Sequence, residues 1–168
     1  MLKKIVLGGG CFWGLQDLIR KQKGVMLTRV GYAGGTTPNP TYENHKGYAE
    51  SVEITYDTEK TSLKNILDFF FRIHNPTTLN QQGNDRGSSY RSVIFYRNEE
   101  EREEGRAFIA IVNNSKRWKD LVVTTLEPLE EFYREFYLAE EYHQDYLVKN
   151  PTGYTCHAIW FDSYLGRN

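Results

Sequence analysis

Three observations predict an α+β domain with a mixed sheet. Two strand–helix–strand patterns follow one another, and the second and third strands are separated by loop chemistry instead of a helix, which disfavours a doubly wound sheet. Two glycine- and proline-rich loops of about fifteen residues interrupt the pattern, a length uncommon in a compact domain unless the loops build a site. The chain has 168 residues, 39% hydrophobic and 14% aromatic, which matches one domain able to bury its own core.

Lys3–Leu7 reads as the first strand, running into Gly8, Gly9 and Gly10. Phe12–Gln22 reads as a helix stopped by Gly24, and Val25–Tyr32 as the second strand. Ala33–Gly47 is loop, because Gly34, Gly35, Pro38, Asn39 and Pro40 do not fit a regular element. Ser51–Asp57 places Val52, Ile54 and Tyr56 on one face, the alternation of a half-buried strand. Ser62 caps a helix carrying Leu63, Ile66, Leu67, Phe70 and Phe71, ended by Asn75-Pro76. After the second loop, Pro76–Ser89, Arg91–Tyr96 is a strand. Asn98 opens a charged helix with Glu101 at capping-box spacing. Leu121–Leu126 reads as a further strand and Glu140–Val148 as a short helix before Pro151. This order is that of a split βαβ (ferredoxin-like) core, with an irregular C-terminal tail, and residues 1–168 are expected to form one catalytic domain.

Charge and composition exclude several classes. Lys and Arg total 21 against 22 Asp and Glu, so the basic footprint of a nucleic-acid or anionic-membrane partner is missing. The apolar run Ala107–Val112 is far shorter than the roughly 20 residues of a membrane span. Lys3 and Lys4 precede only three apolar residues before the glycines, which is read as a mature cytosolic start. The 2 cysteines are no disulfide framework, and the 4 histidines lack metal-ligand spacing, so no metal or cofactor is expected. Cys11 and Cys156 are then either two small buried hydrophobes or reactive thiols.

The most informative segment is Gly8-Gly9-Gly10-Cys11-Phe12-Trp13-Gly14. Glycines after a strand permit a sharp turn. Cys11 falls at the start of a helix, where unpaired N–H groups favour an anion and predict a depressed thiol pKa. On spacing alone, Phe12 and Trp13 are either core residues or walls of an apolar pocket for a small alkyl group.

The heptapeptide resembles the active-site motif of the A-type peptide methionine sulfoxide reductases, which act on the S epimer at sulfur. Five further blocks are similar to that family in the same order. These are Gly31-Tyr32-Ala33-Gly34-Gly35; Pro38–Tyr42 with Gly47-Tyr48-Ala49-Glu50; Gln82–Gly87 with Tyr90-Arg91-Ser92; Ala139–Gln144; and Lys149–Cys156. The resemblance implies that Cys11 attacks the sulfoxide sulfur of methionine sulfoxide in proteins and peptides, and becomes a sulfenic acid. It implies Glu50 as the general acid that protonates the departing oxygen, with Tyr42 and Tyr90 as hydrogen-bond donors to it. Phe12 and Trp13 would wall the methyl pocket, and Asp85 would help orient substrate. Cys156 would close a disulfide with Cys11, which thioredoxin then reduces. A carboxyl held among aromatics is expected to have a raised pKa. Tyr32 is expected to shape the glycine-rich turn, and His143 and Asp145 to be structural. Tyr48 stands where the family commonly has His, and Thr155 displaces Cys156 by one residue from the usual Gly-Tyr-Cys. A monomer suffices, and a cytoplasmic location is implied. Without the resemblance, a thiol peroxidase or a non-catalytic binding module would fit the same reactive thiol or aromatic pocket.

Overall fold

The computed structural model describes residues 1–131 and 134–166. The strands are β1 (Leu2–Gly8), β2 (Val25–Ala33), β3 (Ala49–Asp57), β4 (Gln81–Gln82), β5 (Asp85–Arg86), β6 (Val93–Tyr96), β7 (Thr125–Pro128) and β8 (Tyr137–Leu138). The helices are α1 (Phe12–Ile19), α2 (Leu63–Arg72), α3 (Glu99–Ser115) and α4 (Tyr146–Lys149). Six strands form one sheet in the order β7-β6-β1-β3-β2-β8, and β4 and β5 pair as a separate hairpin. Its central order, β6-β1-β3-β2, is the antiparallel core of the expected split βαβ fold. The parallel pairing of β6 with β7 makes the sheet mixed.

Strand alternation divides the core. Ile5, Leu7, Val30, Val52, Ile54 and Ile94 pack with the apolar faces of α1, α2 and α3. Val6, Ala33, Ala49, Val93 and Phe95 form a smaller cluster with Leu129 and Phe136. Strand β3 sits between β1 and β2 and is buried on both faces, beyond the half-burial its alternation predicts. Its polar residues are buried because they are paired: Glu53 accepts from Arg29 at 2.6 Å and also faces Lys4 and Arg97.

The caps follow the sequence. The Ser62 side chain accepts from the Asn65 N–H at 3.1 Å, and Asn98 accepts from the Glu101 N–H at 2.8 Å. The Glu101 carboxylate returns the bond to the Arg97 N–H, one residue before the cap of α3.

Four elements differ most from expectation. Helix α1 ends at Ile19, not Gln22, because Lys21 and Gln22 make i→i−3 bonds that tighten the last turn before Gly24 at φ +83. The strand expected over Leu121–Leu126 pairs only from Thr125, since the Val122 and Val123 N–H groups are taken by the Asn113 side chain and the Pro76 carbonyl. The helix expected over Glu140–Val148 splits into a 3-10 turn, Glu141–His143, and α4; Asp145 between them is left-handed at φ 53. The loop Pro76–Ser89 contains the β4–β5 hairpin, whose two-residue strands are too short to show periodicity.

The tail lacks regular structure, as expected, yet it is anchored. The Trp160 N–H bonds to the Arg72 carbonyl, Arg72 Nε to the Phe161 carbonyl, and the Tyr164 N–H to Asp68. These bonds tie residues 160–164 to α2 and leave Cys156 on a strap crossing the start of α1.

Candidate active site

The turn after β1 delivers Cys11. Gly10 has φ +94, and a Cβ there would meet the Gln82 side chain, so only glycine allows this approach of turn to hairpin. Cys11 caps α1 without a side-chain cap bond and is 7% exposed. The first helical N–H, that of Phe12, turns to the Glu50 carboxyl at 3.1 Å. Burial pushes the Cys11 thiol up from its ordinary value and the Glu50 charge adds to this, while the Trp13 N–H opposes. The depressed pKa expected from the helix start is therefore corrected: in an eight-residue helix, desolvation of the thiol outweighs the terminal N–H groups, and the resting form is the thiol.

Glu50 lies on β3 opposite Tyr32 and is 1% exposed. Burial raises its pKa to about 8; the Phe12 N–H offsets part of this and the charge of Asp85 adds to it. At neutral pH Glu50 is a protonated carboxyl, one oxygen accepting from Phe12 and a hydroxyl left to donate. Burial, followed by the Glu50 charge, pushes Tyr42 up to about 12 and raises Tyr90 as well, so both phenols stay proton donors. Cys11, Glu50, Tyr42, Tyr90 and Asp85 act on one another electrostatically and form one cluster. The expectation of a raised carboxyl pKa at Glu50 holds.

An aromatic frame surrounds the thiol. Phe12 is fully buried between Tyr32 and His143, at ring distances of 5.8 and 5.1 Å. Trp13 keeps some exposed surface, stacks on Tyr146 at 3.8 Å, and donates through Nε1 to His143 Nδ1 at 2.9 Å. That bond requires Nδ1 to be unprotonated, which puts the His143 proton on Nε2. His143 is itself buried against the Tyr42 ring, 4.4 Å away, while Asp145 is exposed and makes no bond to it. Glu140 accepts from the Tyr32 hydroxyl at 2.8 Å and the Tyr42 N–H at 3.0 Å, and so holds the Tyr42 loop against β2. Glu140 was not singled out by the sequence. Its only signal is its place in the block Ala139–Gln144, whose Gln144 likewise clamps the Val30 N–H and carbonyl.

Asp85, on β5, meets the tail. Its Oδ2 accepts from the Tyr154 hydroxyl at 3.1 Å and lies 3.8 Å from Cys156 Sγ. Cys156 is half-buried and unbridged. Burial and then Asp85 raise its pKa. His157, also missed from sequence, is buried under the turn, with Nε2 2.7 Å from the Gly9 carbonyl. Gly14 makes room for the strap: a Cβ there would meet the Thr155 hydroxyl and the His157 ring. Among the described residues, no group of three His, Cys, Asp or Glu side chains is placed to hold a metal ion.

A buried thiol beside a protonated carboxyl and two phenolic donors can accept an oxygen atom from a polar S–O or O–O bond, and a second thiol nearby can reset it. The comparisons with known proteins agree on which. The peptide methionine sulfoxide reductase model matches residues 3–163. The chain is 56% identical over 157 residues to peptide methionine sulfoxide reductase MsrA 2 of Rhodopirellula baltica, covering 94% of this chain and 91% of that protein. The crystal structure of reduced Mxr1 from Saccharomyces cerevisiae superposes with a TM-score of 0.86 at 36% identity, covering 95% of this chain and 93% of that one. Mxr1 solved in complex with Trx2 matches at a TM-score of 0.59 and 27% identity, over 83% of this chain and 91% of that one. The chain belongs to the peptide methionine sulfoxide reductase family.

Proposed function

We propose that this enzyme reduces the S epimer of methionine sulfoxide in proteins and peptides as a repair reaction after oxidative damage. The observation that carries the mechanism is the buried carboxyl of Glu50, protonated at neutral pH and sharing one cluster with Cys11. Cys11 Sγ attacks the sulfoxide sulfur. Glu50 protonates the sulfoxide oxygen, Tyr42 and Tyr90 donate hydrogen bonds to it as the S–O bond weakens, and the Cys11 thiol proton replaces the one that Glu50 gave up. The oxygen ends on Cys11 as a sulfenic acid, and methionine leaves: R–SH plus sulfoxide gives R–SOH plus thioether.

Trp13, with Phe12 behind it, walls the methyl pocket; a buried methyl contributes roughly 0.8 kcal/mol, so epimer choice rests on the polar contacts at oxygen. Asp85 orients the substrate from the rim of the site. Cys156 then attacks the Cys11 sulfenic acid, forming the disulfide and releasing water. Thioredoxin reduces that disulfide, a reading supported by the relative Mxr1, solved in complex with Trx2. Residues 1–168 act as a single catalytic domain and a monomer suffices, since one chain carries every proposed site residue. Two cysteines, too few for the disulfide framework of a small secreted domain, support a cytoplasmic setting; no helix among the described residues is long and apolar enough to cross a membrane.

The test is a thiol titration without reductant. Reduced protein is mixed with a peptide containing S-methionine sulfoxide, and free thiols and methionine are followed together. Loss of both thiols with about one equivalent of methionine is expected from this stoichiometry. Loss of Cys11 alone removes Cys156 from the mechanism. No change with sulfoxide but rapid loss with peroxide identifies a thiol peroxidase instead.

A further inference from the structure

The tail carries a histidine for which the reductive step has no use. His157 follows Cys156 directly, is 7% exposed, and packs beneath the glycine turn that carries Cys11. Its two ring nitrogens face different partners. Nε2 lies 2.7 Å from the Gly9 carbonyl, which can only accept, so Nε2 carries the proton. Nδ1 is therefore the bare nitrogen, and it lies 3.8 Å from Cys156 Sγ. The Thr155 hydroxyl accepts from the His157 N–H at 3.1 Å and fixes the strap on which the imidazole sits. A carbonyl that sets the tautomer, an imidazole, and a thiol at its free nitrogen are the parts of an activated nucleophile.

We propose that His157 is the general base for Cys156 in disulfide formation, a role that rests on the assignment of Cys156 as the resolving thiol. Cys156 Sγ attacks Cys11 Sγ, the S–S bond forms and the S–O bond of the sulfenic acid breaks. The Cys156 proton passes to His157 Nδ1 and from there to the departing hydroxide, which leaves as water. Cys11 is reduced by the pair of electrons that Cys156 supplies, so no further reductant enters.

The surroundings give the thiol reason to need a base. Burial and the facing carboxylate of Asp85 both hold Cys156 in its thiol form. Asp85 also lies 3.8 Å from the sulfur, but it already accepts from the Tyr154 hydroxyl and is a weaker base than imidazole. The groups facing the His157 ring are Cys156, Asp85 and, across the turn, His74. Burial lowers the His157 pKa, and the bond to the Gly9 carbonyl and then the charge of Asp85 partly restore it, so the ring is neutral and able to accept a proton across the neutral range.

The experiment is a single turnover of fully reduced enzyme with sulfoxide peptide, quenched at intervals, with methionine and remaining thiols counted separately. His157→Gln keeps an N–H for the Gly9 carbonyl and removes the base. Disulfide formation is expected to slow about 100-fold relative to methionine release. In the unmodified enzyme, the disulfide rate should be flat from about pH 6.5 to 8.5, between the ordinary imidazole and thiol values; in His157→Gln it should climb with pH. Equal slowing of both steps in His157→Gln would reduce His157 to a packing role and overturn the proposal. A tenfold rise per pH unit in the unmodified enzyme would overturn it without any variant. Loss of one thiol only would instead sink the assignment of Cys156 as resolving thiol on which the proposal rests.

Discussion

Glu50 is a carboxyl whose burial works for the chemistry and against the fold. Protonated below about pH 8, it can deliver a proton to a sulfoxide oxygen, and that capacity is lost as pH rises through its raised pKa. The rate of methionine release should therefore fall above about pH 8 in the unmodified enzyme. Glu50→Gln should slow release by roughly 10²- to 10⁴-fold at pH 7 and abolish this fall, so the deficit narrows at high pH. Stopped-flow release of methionine over pH 6–10 measures both; a Gln variant that retains the unmodified profile would remove Glu50 as the acid. Cys11 is read differently in one and three dimensions. Its place at a helix start predicts an acidic thiol, but the chain folds the thiol into a 7% exposed position beside Glu50, and desolvation reverses the sign.

At the scale of elements, the site depends on two straps. Glu140 pins the Tyr42 loop through the Tyr42 N–H and the Tyr32 hydroxyl. Glu140→Ala leaves both donors without this acceptor. It should cost about 1.5–3 kcal/mol in denaturant melts and lower kcat for a step that needs the Tyr42 phenol. The second strap is the tail across α1, which fits only because position 14 has no side chain. Gly14→Ala should displace Thr155 and His157 and slow loss of the second thiol more than release of methionine, as thiol counting would register. The irregular tail is legible in its glycine and proline content, whereas its anchoring to Arg72 and Asp68 is not, because single backbone bonds to a distant helix leave no periodic trace.

The whole molecule carries the cost of keeping Glu50 dry. Its folded pKa lies above the ordinary value, so between about pH 4.5 and 8 the native state holds a proton that the unfolded chain has released. The contribution of Glu50 to stability falls as pH rises through that window, by an amount on the order of a few kcal/mol. Glu50→Gln should flatten this slope in urea melts at pH 5, 7 and 8.5, with its largest gain at the highest pH. The opposite investment is the core between the helices and the sheet, where Phe108 of α3 stacks on Phe71 of α2 at 5.7 Å and 7°. Phe108→Ala should cost about 3–5 kcal/mol in the same melts and leave the site's pH dependence unchanged.

What the sequence alone determined is whatever repeats locally or sits in a contiguous motif. The alternation in Ser51–Asp57, the caps at Ser62 and Asn98, and the glycine turn before Cys11 are each set by neighbours a few residues apart, and the four-strand core follows from their order. The ordered motifs named the reductase family for the same reason, and the resemblance supplied the candidate site residues. Only the tertiary structure decided the protonation state of that site and its supports. Burial of Cys11 and Glu50, the bond from Trp13 to His143, the Glu140 clamp and the contact of His157 with Gly9 join residues 38 to 148 positions apart. A pKa depends on which groups exclude water from a side chain. No local pattern encodes that, because it is a property of the packed chain.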